Sequence, residues 1–124
     1  VVPDGKTSAD KYIFGLLDPR NNLIGAIESI RHYPDDRTWW IGLMMLSPKH
    51  RGQGLGSTFY QAFENWVSDQ GSEQVSLCAI EVNQLGIKFW KSLGFEIICK
   101  KEPQQFGQKT HIVYVMSRTV KMMA

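Results

Sequence analysis

Apolar residues in this chain come in short runs separated by clusters of Pro, Gly, Asn and Asp, and the runs change period partway along. Residues 11–18 (KYIFGLLD) read as a strand closed by a turn at Pro19-Arg20-Asn21-Asn22. Residues 23–33 (LIGAIESIRHY) give a second strand with partial alternation, so the two suggest a hairpin. After Pro34-Asp35-Asp36-Arg37 the run 38–46 (TWWIGLMML) is apolar almost throughout, which suits a central strand covered on both faces. The period then turns helical. Leu55, Phe59, Ala62, Phe63 and Trp66 recur at helix spacing, and Gly71 is placed to stop that helix. A strand over 74–82 follows. Asn83 can cap a short helix whose apolar stripe is Leu85, Phe89 and Leu93, ended by Gly94. Residues 95–100 and 112–117 supply two last strands. There is no repeat, low-complexity tract or linker, and 124 residues fit one domain spanning 1–124.

Composition narrows the possible partners. The formal net charge is only +2, so nothing points to a lysine-coated protein that binds polyanions, and nucleic acid is not an expected partner. Cys78 and Cys99 lie far apart in apolar, strand-like surroundings and have no metal-type spacing, so both read as buried structural thiols. No apolar run approaches the roughly 18 residues of a membrane span, and no signal-peptide pattern is present, so a cytoplasmic protein without a membrane partner is the expectation. The chain begins at Val1 and not at methionine, which fits the trimmed remainder of a longer protein.

One stretch is chemically distinctive: Arg51-Gly52-Gln53-Gly54-Leu55-Gly56, between the apolar strand and the amphipathic helix. The first residues of a helix have N–H groups without partners in the helix, and the macrodipole is positive at that end. Glycines at 52, 54 and 56 let a pyrophosphate approach the main chain without Cβ obstruction. Arg51 and Lys49 add charge, and Ser57 or Thr58 can donate a hydroxyl. A plain tight turn using glycine for positive φ explains the same residues. The loop is not a Walker loop, because it ends Gly56-Ser57-Thr58 with no lysine. Nor is it a dinucleotide fingerprint, because its spacing is G-x-G-x-G and three antiparallel-looking strands precede it.

These residues resemble the GNAT superfamily of acetyl-CoA-dependent N-acetyltransferases. The family's cofactor motif is Arg/Gln-x-x-Gly-x-Gly/Ala between a central strand and a helix, often after a hydrophobic residue, one residue and proline. Here Leu46-Ser47-Pro48 precedes Arg51 through Gly56. A second family motif, an asparagine ending the next strand and a short helix running into Gly-Phe, is matched by Asn83 through Phe95 (NQLGIKFWKSLGF). The resemblance covers about 11–117 and leaves the family's N-terminal strand and pair of helices without a counterpart. It implies an α/β fold: a mixed, mostly antiparallel central sheet flanked by helices, with a V-shaped splay between two central strands. It further implies that the N–H groups of 51–56, with Ser57 beside them, hold the pyrophosphate of coenzyme A. The pantetheine arm is then flanked by Asn83, Phe89 and Trp90, and the main-chain N–H near Leu46 faces the thioester carbonyl as an oxyanion site.

The implied reaction is transfer of acetyl from acetyl-CoA to a primary amine, a small molecule or a peptide, by direct attack in a ternary complex. An alkyl amine has a pKa near about 10.4, so its deprotonation is the demanding step. Here the chain departs from the family. Trp90 stands where many relatives carry the tyrosine that protonates the leaving sulfur, and Trp40 stands where many carry a glutamate. The remaining base candidates are Glu81, close to the end of the strand bordering the gap, and Glu28, a carboxylate among apolar neighbours. Tyr60 and Tyr114 are substitute acids, and His32 and His50 titrate in a useful range. Trp39 and Trp40 would favour an apolar amine if they line the cleft and are core otherwise. The missing tyrosine and glutamate leave open a non-catalytic coenzyme-A-binding module. The last strand, around 112–119, can pair across a homodimer if its edge is free.

Overall fold

The computed structural model describes residues 2–120. In chain order these form β1 (Lys11–Leu17), β2 (Leu23–Ile30), β3 (Thr38–Leu46), α1 (Leu55–Asp69), β4 (Gln74–Ile80), α2 (Gln84–Ser92), β5 (Glu96–Phe106) and β6 (Lys109–Thr119). Local chemistry sets the boundaries. In the β1–β2 turn Asp18 Oδ1 accepts the main-chain N–H groups of Arg20 at 2.8 Å and Asn22 at 2.9 Å, while Asn21 turns left-handed. The α1 helix ends just before Gly71, which has φ +83° and donates its N–H to the Ser68 carbonyl. The α2 helix starts where Asn83 Oδ1 accepts the Gly86 N–H at 3.0 Å.

The strands form a single six-stranded sheet in the order β1-β2-β3-β4-β6-β5. Every pairing is antiparallel except β3 with β4, as the mixed, mostly antiparallel α/β reading requires. The parallel ladder is short: 38–41 pairs with 74–77 and goes no further. Beyond it β3 keeps its pairing with β2 as far as Leu46, and β4 stays with β6 as far as Ile80. Each strand follows its other neighbour, so a gap opens between them.

Residues opposite one another in a ladder share a face. One face carries Tyr12, Phe14, Ile27, Trp39, Ile41, Val75, Leu77 and Met116, and α1 and α2 pack on it through Phe59, Tyr60, Phe63, Val67 and Ile87. The rings interlock there, with Trp66 against Tyr12, Phe14 and Trp39 at centroid distances of 5.0–5.5 Å. The other face bears Ile13, Glu28, Trp40, Leu43, Cys78 and Cys99, and neither helix reaches it.

Several sequence expectations need correction. The second strand stops at Ile30 and the fourth at Ile80, short of 33 and 82. The last hairpin is longer than 95–100 and 112–117, because β5 is an exposed outer strand whose second half, Lys-Lys-Glu-Pro-Gln-Gln-Phe, carries no apolar alternation. Its Pro103 sits at a break in register, where a missing N–H is tolerated. The β6 strand returns between β4 and β5, so the 112–119 segment has both edges paired and the dimer route proposed through it is closed. Cys78 and Cys99 are exposed, not buried: each pairs with Val115 in the ladder, on the face without helices. On α2, Leu85 points outward and Ile87 is the fully buried residue, while Phe89 is half-buried and Leu93 packs against the core as expected.

Candidate functional site

The glycine loop does what its composition suggests. Gly52 and Gly54 have φ +76° and +78°, a region L side chains rarely adopt, and a Cβ at either would meet only open space. Gly54 is the N-cap of α1 and offers no side chain to cap it. The first ladder bond inside the helix is Thr58 N–H to the Gly54 carbonyl at 3.3 Å. The N–H groups of Leu55, Gly56 and Ser57 therefore have no acceptor within the helix. No acidic residue occupies the first turn to oppose an anion. Gly56 has a different reason to be glycine: a Cβ there would lie 3.2 Å from the Phe89 ring, so it brings α1 and α2 together.

The end of β3 supplies the second part. Ser47 N–H donates to the Ile24 carbonyl at 2.7 Å, so Leu46, opposite Gly25, is a pair that does not bond across the ladder. The Leu46 N–H and carbonyl thus point away from β2, toward the gap. Arg51 confirms this orientation, donating from Nε to the Leu46 carbonyl at 3.1 Å.

These parts meet in a cleft of about 670 Å³. It is lined by the predicted Leu46, Arg51, Gly52, Gly54, Gly56, Ser57, Asn83, Phe89 and Trp90, and by four residues outside that set: Met44, Met45, Leu85 and Gly86. Their signal was position, since they flank the predicted residues on β3 and in the first turn of α2. Met45 is on the face away from the helices, so the cleft reaches through the sheet. Gln53 and Leu55 do not line it; Gln53 Nε2 donates to the Lys49 carbonyl at 3.1 Å. Thr58 commits its hydroxyl to the Gly54 carbonyl at 3.2 Å, leaving Ser57 as the hydroxyl at the cleft. Bare N–H groups, one guanidinium and an apolar channel walled by Phe89 and Trp90 fit a ligand with a pyrophosphate at one end and a neutral arm at the other.

The proton-handling candidates fare unevenly. Glu81 does not line the cleft; its carboxylate accepts a hydrogen bond from the Tyr114 hydroxyl on β6, the side of β4 away from the gap. That bond pushes the Tyr114 pKa up, with burial adding to it, so Tyr114 is a weaker acid than an ordinary tyrosine. Tyr60 is 1 % exposed in the core, and burial together with the charge of Glu64 pushes its hydroxyl far above the usual range. Neither tyrosine lines the cleft. Trp90 packs on Tyr60 and Phe95 while its other side walls the cleft. His32 and His50 do not line the cleft either, and His50 Nδ1 is buried with no hydrogen-bond partner among the described residues. Glu28 lies on the face without helices, held by Lys11 Nζ at 2.7 Å, and lines a smaller cavity next to the gap.

A buried network escaped the sequence reading. Arg118 on β6 donates to Glu64 on α1 through Nε and Nη2, and its Nη1 donates to the Leu93 carbonyl at 2.9 Å. The Tyr60 hydroxyl also donates to Glu64, at 2.9 Å. Burial pushes the Glu64 carboxyl up, but the bonds from Arg118 and Tyr60 outweigh it and hold the group below its usual value. The network ties the helix that carries the glycine loop to the end of the helix that forms the opposite wall.

The sequence model of the acetyltransferase (GNAT) family matches residues 4–95. The chain belongs to that family. Solved structures share its fold at low identity. A nourseothricin acetyltransferase is 17 % identical with a TM-score of 0.79, covering 92 % of this chain and 68 % of its own. The ribosomal-protein-S18-alanine N-acetyltransferase from Escherichia coli is 15 % identical with a TM-score of 0.77, covering 93 % and 72 %. A spermidine N-acetyltransferase from Vibrio cholerae, in complex with CoA and spermine, is 18 % identical with a TM-score of 0.81, covering 93 % and 69 %.

Proposed function

From that family membership we propose that the protein binds acetyl-CoA in the cleft and transfers its acetyl group to a primary amine by direct attack in a ternary complex. The observation that carries this reading is the gap itself: β3 and β4 part after Ile41 and Leu77, and the glycine-capped start of α1 stands at its mouth. When bound, acetyl-CoA supplies a thioester activated for acyl transfer.

The chain's own groups do the rest. The N–H groups of Gly56 and Ser57, with Arg51, hold the pyrophosphate, each charged or dipolar contact being worth about 0.3–1 kcal/mol where exposed. Phe89 and Trp90 exclude water from the arm, and Asn83 keeps the first turn of α2 in place as its wall. The Leu46 N–H, freed from the ladder, polarises the thioester carbonyl. The N–C bond forms as the C–S bond breaks. The amine's proton passes to Glu28 or to water, and the thiolate leaves with an intrinsic pKa near about 8.5, needing little help. Neither Cys78 nor Cys99 lines the cleft, which supports direct attack over an acyl-enzyme.

A second reading is a coenzyme-A-binding module without turnover. It is favoured by one observation: among the described residues lining the cleft, Arg51 is the only ionisable side chain. Calorimetric titration of acetyl-CoA into the protein and into Gly54→Val, followed by thiol release with added amines, separates the cases. The expected result is micromolar binding by the wild type, loss of binding in the variant, and amine-dependent thiol release. Binding without release under any amine would establish the module, and no binding would overturn both.

A further inference from the structure

The smaller cavity, about 200 Å³, is lined by Pro3, Glu28, Ile30, Tyr33, Trp40 and Gly42, on the sheet face that carries no helix. Register gives it a direction. Ile30 lies opposite Trp40, and Glu28 lies opposite Leu43. Along β3 toward the cleft the order is therefore Trp40, Gly42 and Glu28's partner Leu43, then Met44, Met45 and Leu46, which line the cleft. The carboxylate stands at the end next to the gap and the apolar groups at the end away from it. Since Met45 lines the cleft from this same face, the linings of the two cavities follow one another along β3, with Leu43 between them.

The walls are specific. Tyr33 and Trp40 meet edge to face, centroids 5.5 Å apart at 86°, so their rings are fixed against each other. Lys11 Nζ holds one oxygen of Glu28 at 2.7 Å, which fixes the carboxylate and satisfies half of it. The space is below the roughly 300 Å³ at which pockets for drug-sized ligands begin, so it admits one ring or one compact branched group.

We infer that this cavity holds the non-reacting end of the acceptor, and that the acceptor is a small primary amine carrying one aromatic or compact apolar group. Its nitrogen lies at Glu28, facing the gap, and its apolar group lies against Trp40 and Tyr33. The inference rests on the acetyl-transfer reading above and names the acceptor class for that site. A polyamine fits poorly, because its further ammonium groups would sit among Pro3, Ile30 and Trp40 with one carboxylate that is already ion-paired. An α-amino acid fits poorly too, because its carboxylate would be brought against Glu28.

Three amines test it: 2-phenylethylamine, phenylalanine, which is the same skeleton with a carboxylate, and spermidine. Thiol release from acetyl-CoA is followed with wild type, Trp40→Leu and Trp40→Tyr, and acetyl-CoA binding is titrated in parallel. The expected kcat/KM for 2-phenylethylamine is about tenfold or more above the other two, the scale on which apolar pockets discriminate. Trp40→Leu is expected to raise its KM about tenfold, Trp40→Tyr to recover most of the loss, and both to bind acetyl-CoA as the wild type does, since Trp40 is not in that cleft. Equal or better use of spermidine or phenylalanine, or an unmoved KM in Trp40→Leu, with acetyl-CoA binding intact, would overturn the acceptor class and leave the acetyl-transfer reading standing. A weaker acetyl-CoA affinity in Trp40→Leu would overturn the assignment of Trp40 to a separate cavity. Failure of the wild type to bind acetyl-CoA would overturn the acetyl-transfer reading and this inference with it.

Discussion

The two halves of β3 have nearly the same apolar character and live in different surroundings. Residues 38–41 all pair with β4, Trp40 and Ile41 pair with β2 as well, and the segment is mostly buried, with Trp39 2 % exposed. Residues 43–46 are paired only with β2, and Leu43 and Met45 are 45 % and 56 % exposed. What separates them is how far β4 follows, not hydrophobicity. The closed half joins β3, β4 and β6 under α1 as a core. The open half leaves main-chain N–H groups and apolar side chains facing space, a costly arrangement for a core and a useful one for a ligand that brings its own carbonyl and apolar arm.

The largest test of this division strikes the closed half. Arg118, opposite Val75 in the ladder, is the cation for the buried Glu64. Arg118→Met leaves that charge uncompensated, and the expected loss is about 3–5 kcal/mol by urea unfolding at neutral pH. Acid distinguishes this cause from simple repacking. In the wild type the folded Glu64 carboxyl lies below its reference value of 4.5, so its contribution is complete above that value and is lost as pH falls through the folded pKa. Without Arg118, burial dominates and raises the folded pKa, so the variant gains stability as pH falls toward 4.5. The gap between the two proteins should therefore narrow in acid. A gap that stays constant with pH would mean Arg118 acts through packing alone.

A smaller effect is expected where the open half meets α2. Asn83 is exposed, yet its Oδ1 caps the helix through the Gly86 N–H. Asn83→Ala should cost about 1 kcal/mol in urea unfolding and, by loosening the wall formed by Leu85 and Gly86, weaken acetyl-CoA binding in calorimetry. Undiminished affinity would sharpen the comparison differently, by placing the whole grip of the open half on β3 and the glycine loop.

Local signals carried much of this. The β3 boundaries, the left-handed Gly52 and Gly54, the Asn83 cap and the glycine stops at 71 and 94 all depend on residues within a few positions of each other, and short-range chemistry of that kind is visible in one chain. The GNAT resemblance then placed most of the cleft's lining. Contacts between distant segments were not visible. Arg118 and Glu64 are 54 positions apart, and neither looks buried by composition. The exposure of Cys78 and Cys99 and the interior place of β6 depend on which face the helices cover and on the order of strands, and neither is encoded in apolar periodicity. Trp39 and Trp40 show the limit within one dipeptide. Alternation sends the first into the core and the second to the opposite cavity, and only the position of the helices says which is which.

The smallest expected effect is the most exposing for the comparison. Leu43 is an apolar residue in the middle of a central strand, and on sequence alone its replacement by serine should cost as much as any core change. Leu43 is 45 % exposed, so Leu43→Ser removes about half of a leucine's burial, and the change in urea unfolding should stay at or below about 1 kcal/mol, against ~2–5 kcal/mol for truncating a core leucine. A serine hydroxyl there finds water, so no unsatisfied polar group offsets the estimate. A loss several times larger would mean that Leu43 is covered in solution by something that also covers Glu28 beside it in the ladder, and an acceptor could then reach the gap only by displacing it.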